Sequence, residues 1–337
     1  MKLGYWFAVC VVTTAAIAFC ADQPKKDDKP KPPPPKAYLT PEEGGIAFKL
    51  QGEYEGEAEG GKLGVQVIAL KDGAFRAVIY GGGLPGAGWD GKTKTEIDGR
   101  LQGEKAVFTG KTSASADGSV FAGTAADGKP FSLKKVMRQS PTLGAKPPAG
   151  AIVLFDGTNL NEWKPGAKMD DEKRLMALSN PTTVKEFKDF SMHIEFLLPF
   201  MPDASGQGRA NSGVYVQGRY EIQVLDSFGL RGADNECGGI YRNAAPLVNM
   251  CLPPLSWQTY DIDFTAAKYD GDNKIANAVI TVRHNGVVIH DKLELKGPTP
   301  GGPKSDPKKF PESTPGPLYL QNHGNPVLYR NIWVVPK

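Results

Sequence analysis

Long apolar runs are missing from this 337-residue chain: after the first twenty positions nothing approaches the roughly 18 consecutive apolar residues of a membrane span. Cysteine is scarce. Two of the four, Cys10 and Cys20, lie in or at the edge of the N-terminal leader. The remaining pair, Cys237 and Cys251, is not joined by the short-spaced His/Cys cluster of a zinc site, so no metal or cofactor is expected. A structural calcium held by backbone carbonyls would leave no readable motif. Charge is low at 23%, and the net +3 is local. Lys2 offsets Asp22, and Gln23 to Lys36 carries five Lys against two Asp, so everything after Lys36 sums to zero. Without a basic folded surface, nucleic acid is excluded as a partner. There is no G-x-S-x-G elbow in an α/β context. The Gly-rich stretch GGGLPGAGWDG (81–91) lacks the Lys-Ser/Thr and helix of a phosphate loop and reads as a surface loop. Tyr80 and Trp89 around it read as packing residues rather than a sugar platform.

Glycine and proline are abundant, 40 and 28 residues, about a fifth of the chain against a usual ~12%. That favours many short strands joined by turns over a helical bundle. Lys2 followed by the mostly apolar run from Tyr5 to Phe19 has the form of a secretory signal peptide over 1–20, which implies export to the periplasm or beyond. Acylation of Cys20 as a lipoprotein anchor is the rival reading, and bulky Phe19 argues against it. In an oxidising compartment the pair Cys237 and Cys251 reads as one disulfide, worth about 2–4 kcal/mol. Residues 21–36 (DQPKKDDKPKPPPPK from Asp22) form an extended Lys/Pro-rich linker. A small all-β domain is expected over 37–140, a second linker over 141–147 and a larger β domain over 148–337.

In the larger domain the alternation is clear. Phe190, Met192, Ile194, Phe196 and Leu198 oppose Ser191, His193 and Glu195; Tyr220, Ile222 and Val224 oppose Arg219, Glu221 and Gln223; Tyr260, Ile262 and Phe264 oppose Thr259, Asp261 and Asp263. Asn285-Gly286 between VITVRH and VVIHDKL signals a type I′ hairpin. Strands with one apolar and one polar face build an antiparallel sandwich, with Ile222, Val224, Ile262 and Phe264 in its core.

The polar face is expected to gather His193, Glu195, Glu221, Gln223, Gln321 and His323, groups that hydrogen-bond hydroxyls and move protons. A solvated sheet face is the plain alternative. His284 and His290, at and beyond a hairpin turn, read as surface residues. His323, in QNHGNP at a strand end, is better placed for acid–base work. The string from Glu221 to Asp226, E-x-Q-x-x-D, resembles the E-x-D-x-x-E strand of retaining sandwich glucanases, in which a bulge turns the last carboxylate onto the catalytic face. Gln at the middle position departs from a mechanism that needs a carboxylate nucleophile.

Several strings in order, LFDGTNLNEW (154–163), NSGVYVQGRYEIQVLDS (211–227), WQTYDIDF (257–264) and GPLYLQNHGNPVLYRNIWV (316–334), together resemble the 3-keto-disaccharide hydrolase family over about 148–337. The resemblance implies a concanavalin A-like lectin/glucanase jelly-roll sandwich and cleavage of glycosides whose sugar carries a 3-keto group. A C3 carbonyl acidifies the C2 hydrogen, so one base, one acid and donors to the ketone suffice. Glu221 and His323 are the expected base and acid, in either order, with Asp226 orienting one of them. His193, Glu195, Arg219, Gln223, Gln321, Asn325 and Arg330 are the expected substrate-binding residues. A non-catalytic carbohydrate-binding module, or a cell-surface docking domain, uses the same sandwich.

Overall fold

A computed structural model of the chain describes Met1 and residues 33–337. The expected signal peptide, most of the Lys/Pro-rich linker, Cys10 and Cys20 lie outside the described residues. Among the described residues no helix is long and apolar enough to cross a membrane. As expected, the described residues are all-β apart from short helical pieces.

One helix, Pro41–Leu50, was not anticipated by the strand pattern. Thr40 caps it by accepting from Glu43 N, Pro41 opens it where no N–H partner is needed, and Glu43 reaches back to Leu39 N. Eight antiparallel strands follow, from Gly52–Ala58 to Pro130–Val136. The last pairs back onto the first through Glu53↔Val136 and Glu55↔Lys134, so the small domain is a closed barrel with no free edge. Tyr54, Val65, Phe75, Phe108, Phe121 and Leu133 fill its interior.

The larger domain is a sandwich of two antiparallel sheets. The first runs in the order Leu175–Met176, Leu328–Pro336, Phe190–Leu197, Trp257–Thr265, Ala278–His284, Val287–Leu295, with Ile152–Phe155 also paired to Leu328–Pro336. The second runs Thr182–Phe187, Gly316–Leu320, Ser212–Val216, Tyr220–Val224. Ile222, Val224, Ile262 and Phe264 are buried together between the sheets, as the alternation predicted. Tyr260 Oη donates to Gln223 O at 2.7 Å, and the hydroxyls of Ser212 and Tyr329 meet at 2.7 Å, so the two layers are also hydrogen-bonded. The Asn285-Gly286 turn has positive φ at both residues, as type I′ requires.

Three expectations need correction. Cys237 and Cys251 are buried free thiols, not a disulfide. Cys237 Sγ sits 3.2 Å from Tyr260 Oη, Cys251 Sγ is directed at the Leu225 and Leu252 carbonyls at 3.5 Å, and the two thiols neighbour each other without being bonded. His284 and His290 are buried, not at the surface. His284 Nε2 lies 3.0 Å from Gln258 Oε1, and His290 Nε2 lies 2.7 Å from Gly238 O. Burial pushes both rings toward the neutral form, His284 down to about 3. The segment around 141–147 is no free linker but a strap across the outer face of the first sheet. Ser140 and Thr142 bond Thr259 and Asp261, Gly144 N donates to Glu195 at 2.6 Å, and Ala145 O accepts from Asn331 and Trp333.

The barrel and sandwich share a boundary. The Gly-rich loop at 81–91 packs inward, with Gly86 so close to Met250 that a Cβ there would overlap its side chain and crowd Val287 at 3.2 Å. Tyr80 and Trp89 meet edge to face at 5.0 Å, consistent with the packing role read for them.

Candidate active site

The site is built on the hairpin Ser212–Val216/Tyr220–Val224. Gln217 and Gly218 both take positive φ, and Arg219 N closes the turn on Val216 O, which fixes the register. Tyr215 then pairs with Glu221 and Gly213 with Gln223. On the neighbouring strand Tyr319 pairs with Tyr215, and Gln321 N donates to Gly213 O at 2.9 Å. Side chains of equal parity share a face. The outer face therefore carries a row of Tyr319, Tyr215 and Glu221 beside a row of Gln321, Gly213 and Gln223. Gly213 has no side chain, and the Glu221 carboxylate lies over it: a Cβ there would stand 2.9 Å from Glu221 Cδ and overlap Oε1.

Loops wall this face into a cavity of about 230 Å³ lined by Glu221, Gln223, Gln321, His323, Tyr215 and Asn211, with Gln207, Tyr241, Arg242 and the Pro300-Gly301 turn completing it. The turn carrying Tyr241 and Arg242 is tied to the hairpin by Tyr241 N donating to Glu221 O. The Pro300 segment is tied by Thr299 N donating to Arg219 O at 2.7 Å. At the inner end Asn211 Nδ2 donates to Gln207 O at 2.7 Å, and Gln223 Nε2 donates to Gln207 Oε1 at 3.2 Å. His323 stands exposed in the turn after the Gly316–Leu320 strand, where Asn322 Oδ1 accepts from Gly324 N.

Glu221 is the one carboxylate that lines the cavity. Burial raises its pKa to about 7, against the lowering effect of the hydrogen bond from Tyr215, whose hydroxyl is 2.8 Å from Oε2. A carboxyl near neutrality is suited to take and return a proton at working pH. Among the described residues no group of three His, Cys, Asp or Glu side chains is arranged to hold a metal ion.

The structure thus brings together four of the sequence-predicted residues, Glu221, Gln223, Gln321 and His323. The others lie elsewhere. Asp226 is buried in an ion pair with Arg209 (2.6 Å) and accepts from Phe228 N, so it does not reach the cavity as the glucanase-like bulge would require. Arg219 is buried beneath the 297–316 loop, donating to Gln217 O, Pro311 O and Thr314 Oγ1. Asn325 fixes the turn by accepting from Asn211 N. His193, Glu195 and Arg330 belong to the other sheet, so they face away from Glu221 on the opposite side of the sandwich. There His193 lies between Asp261 (2.6 Å) and Glu195 (3.4 Å), and Arg330 Nε donates to Glu195 at 2.7 Å. Burial opposes ionisation of Glu195, but bonds from His193, Asn331, Arg330 and Gly144 N outweigh it and hold its pKa at about 2. Burial likewise opposes the charge of His193, and its two carboxylate partners outweigh it and raise its pKa. This network anchors the strap. The cavity also contains residues not singled out in the sequence: Tyr215, Asn211, Gln207, Tyr241 and Arg242.

Residues 150–335 match the family described as the 3-keto-alpha-glucoside-1,2-lyase-like domain. A solved structure of a candidate glycosyl hydrolase from Parabacteroides distasonis ATCC 8503 is 32% identical, covering 56% of this chain and 85% of that one, with a TM-score of 0.50. A second candidate glycosyl hydrolase from the same organism is 18% identical over 60% of this chain and 98% of the other, with a TM-score of 0.40. The comparison with curated proteins gives no match. With more than half its length matched, and with the strings that carried the resemblance inside the matched span, the chain belongs to the 3-keto-alpha-glucoside-1,2-lyase-like domain family, a carbohydrate-active one.

Proposed function

We propose that this protein cleaves glycosides whose sugar carries a 3-keto group, by elimination across C1–C2 followed by hydration. The observation that carries this reading is that the cavity lining holds one carboxylate, Glu221, with a pKa near 7. Double displacement at C1 needs two carboxyls about 5–5.5 Å apart; Asp226 is spent on Arg209, and Glu195 lies on the other sheet. Elimination needs one base. Ionised Glu221 takes the C2 proton, the C–H electrons pass into the enolate of the 3-ketone, and their return expels the C1 oxygen as His323 protonates it. Water then adds at C1 of the enone and gives its proton to the imidazole of His323, while Glu221 returns its proton to C2; both groups are restored and the outcome is net hydrolysis. Gln321 Nε2 and Gln223 Nε2 are the amide donors for the ketone and hydroxyls. The cavity volume falls below the ~300–1,000 Å³ of drug-sized pockets, so it suits one sugar ring with the leaving group outside.

The family match favours the α-glucoside as the first substrate to try. Purified protein incubated with methyl 3-keto-α-glucoside and with methyl α-glucoside should release methanol from the first alone. Equal release from both would contradict the proposal, because only the ketone acidifies C2. Retention of either sugar without release would leave a binding module in its place.

A further inference from the structure

Tyr215 has one hydroxyl proton and two acceptors for it. Its Oη lies 2.8 Å from Glu221 Oε2 and 3.1 Å from the Pro300 carbonyl oxygen, with Gln321 Nε2 approaching at 3.4 Å. A carbonyl only accepts and a phenol has a single proton to donate, so the two contacts cannot both be full hydrogen bonds at once. The protonation of Glu221 decides between them. An ionised carboxylate is the stronger acceptor and takes the phenol proton. A protonated carboxyl donates its own O–H to the phenol oxygen, and the phenol proton turns to Pro300. Both states are fully bonded with no heavy atom moved.

We propose that Tyr215 is a positioning residue whose hydroxyl switches between Glu221 and the Pro300 carbonyl as Glu221 loses and gains a proton, fixing the carboxyl in place and setting the pH at which it ionises. The inference rests on the reading of Glu221 as the group that carries the substrate proton. Tyr215 keeps its own proton throughout and only reorients it, so no net transfer is assigned to the phenol.

The surroundings fit this task. Tyr215 is fully buried, and burial pushes its own ionisation far above the usual phenol range, so it cannot serve as a base. The second acceptor is held rigidly: Thr299 N bonds Arg219 O, and Gly301, at φ +95°, sits so near that a Cβ would be 3.3 Å from Tyr215 Oη. The other titratable or charged groups facing the pair are Tyr319 from the adjacent strand, Tyr241 and Arg242 from the 240–244 turn, and His323 from the turn at 321–325. None of these is a carboxylate. The hydrogen bond from Tyr215 is what offsets burial at Glu221.

The test is a carbon-13 NMR titration of the glutamate carboxyls in the full chain, with Glu221→Gln used to assign the Glu221 signal. In Tyr215→Phe the Glu221 midpoint should rise by about 1 pH unit, because the ionised form loses a charge-assisted hydrogen bond and the protonated form only a weaker neutral one. Replacing Tyr215 by 3-fluorotyrosine keeps the shape and strengthens the donor, so the midpoint should fall. That second replacement decides the matter if the Phe variant does not fold. A midpoint unchanged by 3-fluorotyrosine, or unchanged in a folded Phe variant, would overturn the proposal. The titration uses no substrate. Shifted midpoints in a protein that cleaves no 3-keto glycoside would therefore sink the functional reading while leaving the role of Tyr215 standing.

Discussion

Glu221→Gln should lower turnover of a 3-keto glycoside by about 10²–10⁴-fold, or ~3–5 kcal/mol in barrier, the usual worth of a positioned acid–base group. Gln preserves the shape over Gly213 and can still accept from Tyr215; what it loses is the capacity to take a proton. The wild-type rate should also rise with pH through about 7, where the buried carboxyl ionises, and the variant should lack that limb. Stability should move the opposite way. The folded pKa of Glu221 lies above the ordinary carboxylate value of 4.5, so the folded state binds the proton more tightly than the unfolded chain does. Wild-type stability is therefore eroded as pH rises from about 4.5 to 7, by something on the order of 1–3 kcal/mol, and the Gln variant escapes that loss. Thermal melts should place the variant above wild type at pH 8 and level with it near pH 4. Full activity in the variant, or a melting difference that does not depend on pH, would contradict the assignment.

Gly213→Ala should be almost as damaging, although Gly213 performs no chemistry. An added Cβ would stand 2.9 Å from Glu221 Cδ and 3.0 Å from Cγ, and would overlap Oε1. The backbone there is ordinary strand with no positive φ, so the substitution acts through that contact alone. Either the carboxylate is displaced or the hairpin yields. Misplacing a reacting group by about 1 Å can cost ~10²-fold, and overpacking a tight site typically costs ~1–3 kcal/mol. Gly208→Ala is the matched control, since a Cβ at that position, in the loop bordering the same cavity, meets nothing within 4 Å. The control should retain wild-type kcat and melting temperature. Gly213→Ala should lose at least tenfold in kcat. Equal kcat in the two variants would mean that the position of Glu221 over Gly213 is not what activity depends on.

How far the site could be read from sequence follows from which contacts are local. Glu221 and Gln223 share a strand, and their common face is set by the two-residue period, so alternation placed them correctly. The same alternation grouped His193 and Glu195 with them, because a period of two says which residues share a face and not which sheet the strand joins. The Phe190–Leu197 strand joins the other layer, and the grouping fails there. Asp226 had the right spacing for a glucanase-like bulge. What claims it is Arg209, on the loop that precedes the hairpin, a partner that the spacing E-x-Q-x-x-D does not show. Tyr215 was within reach: it has the parity of Gly213 in NSGVYVQGRYEIQ, but recognising it requires the hairpin register, which depends on Gln217 accepting a positive φ usually left to Gly or Asn. The capped start of the Pro41–Leu50 helix was also legible, in Thr40-Pro41-Glu42-Glu43. Closure of the barrel was not, because pairing between Glu53 and Val136 joins positions more than eighty residues apart. The strap at 140–147 looks like a linker in composition, and its function as an anchor appears only once Glu195, Asp261 and Asn331 are brought beneath it.

The central claim, that Glu221 removes a proton from C2, is tested most directly by deuterium at that carbon. A 3-keto α-glucoside labelled at C2 and cleaved by the wild-type protein in ordinary water should lose its label to solvent, or react more slowly than the unlabelled sugar, and Glu221→Gln should abolish the exchange. Cleavage at the unlabelled rate with deuterium fully retained at C2 would contradict elimination and leave direct attack at C1 as the better account.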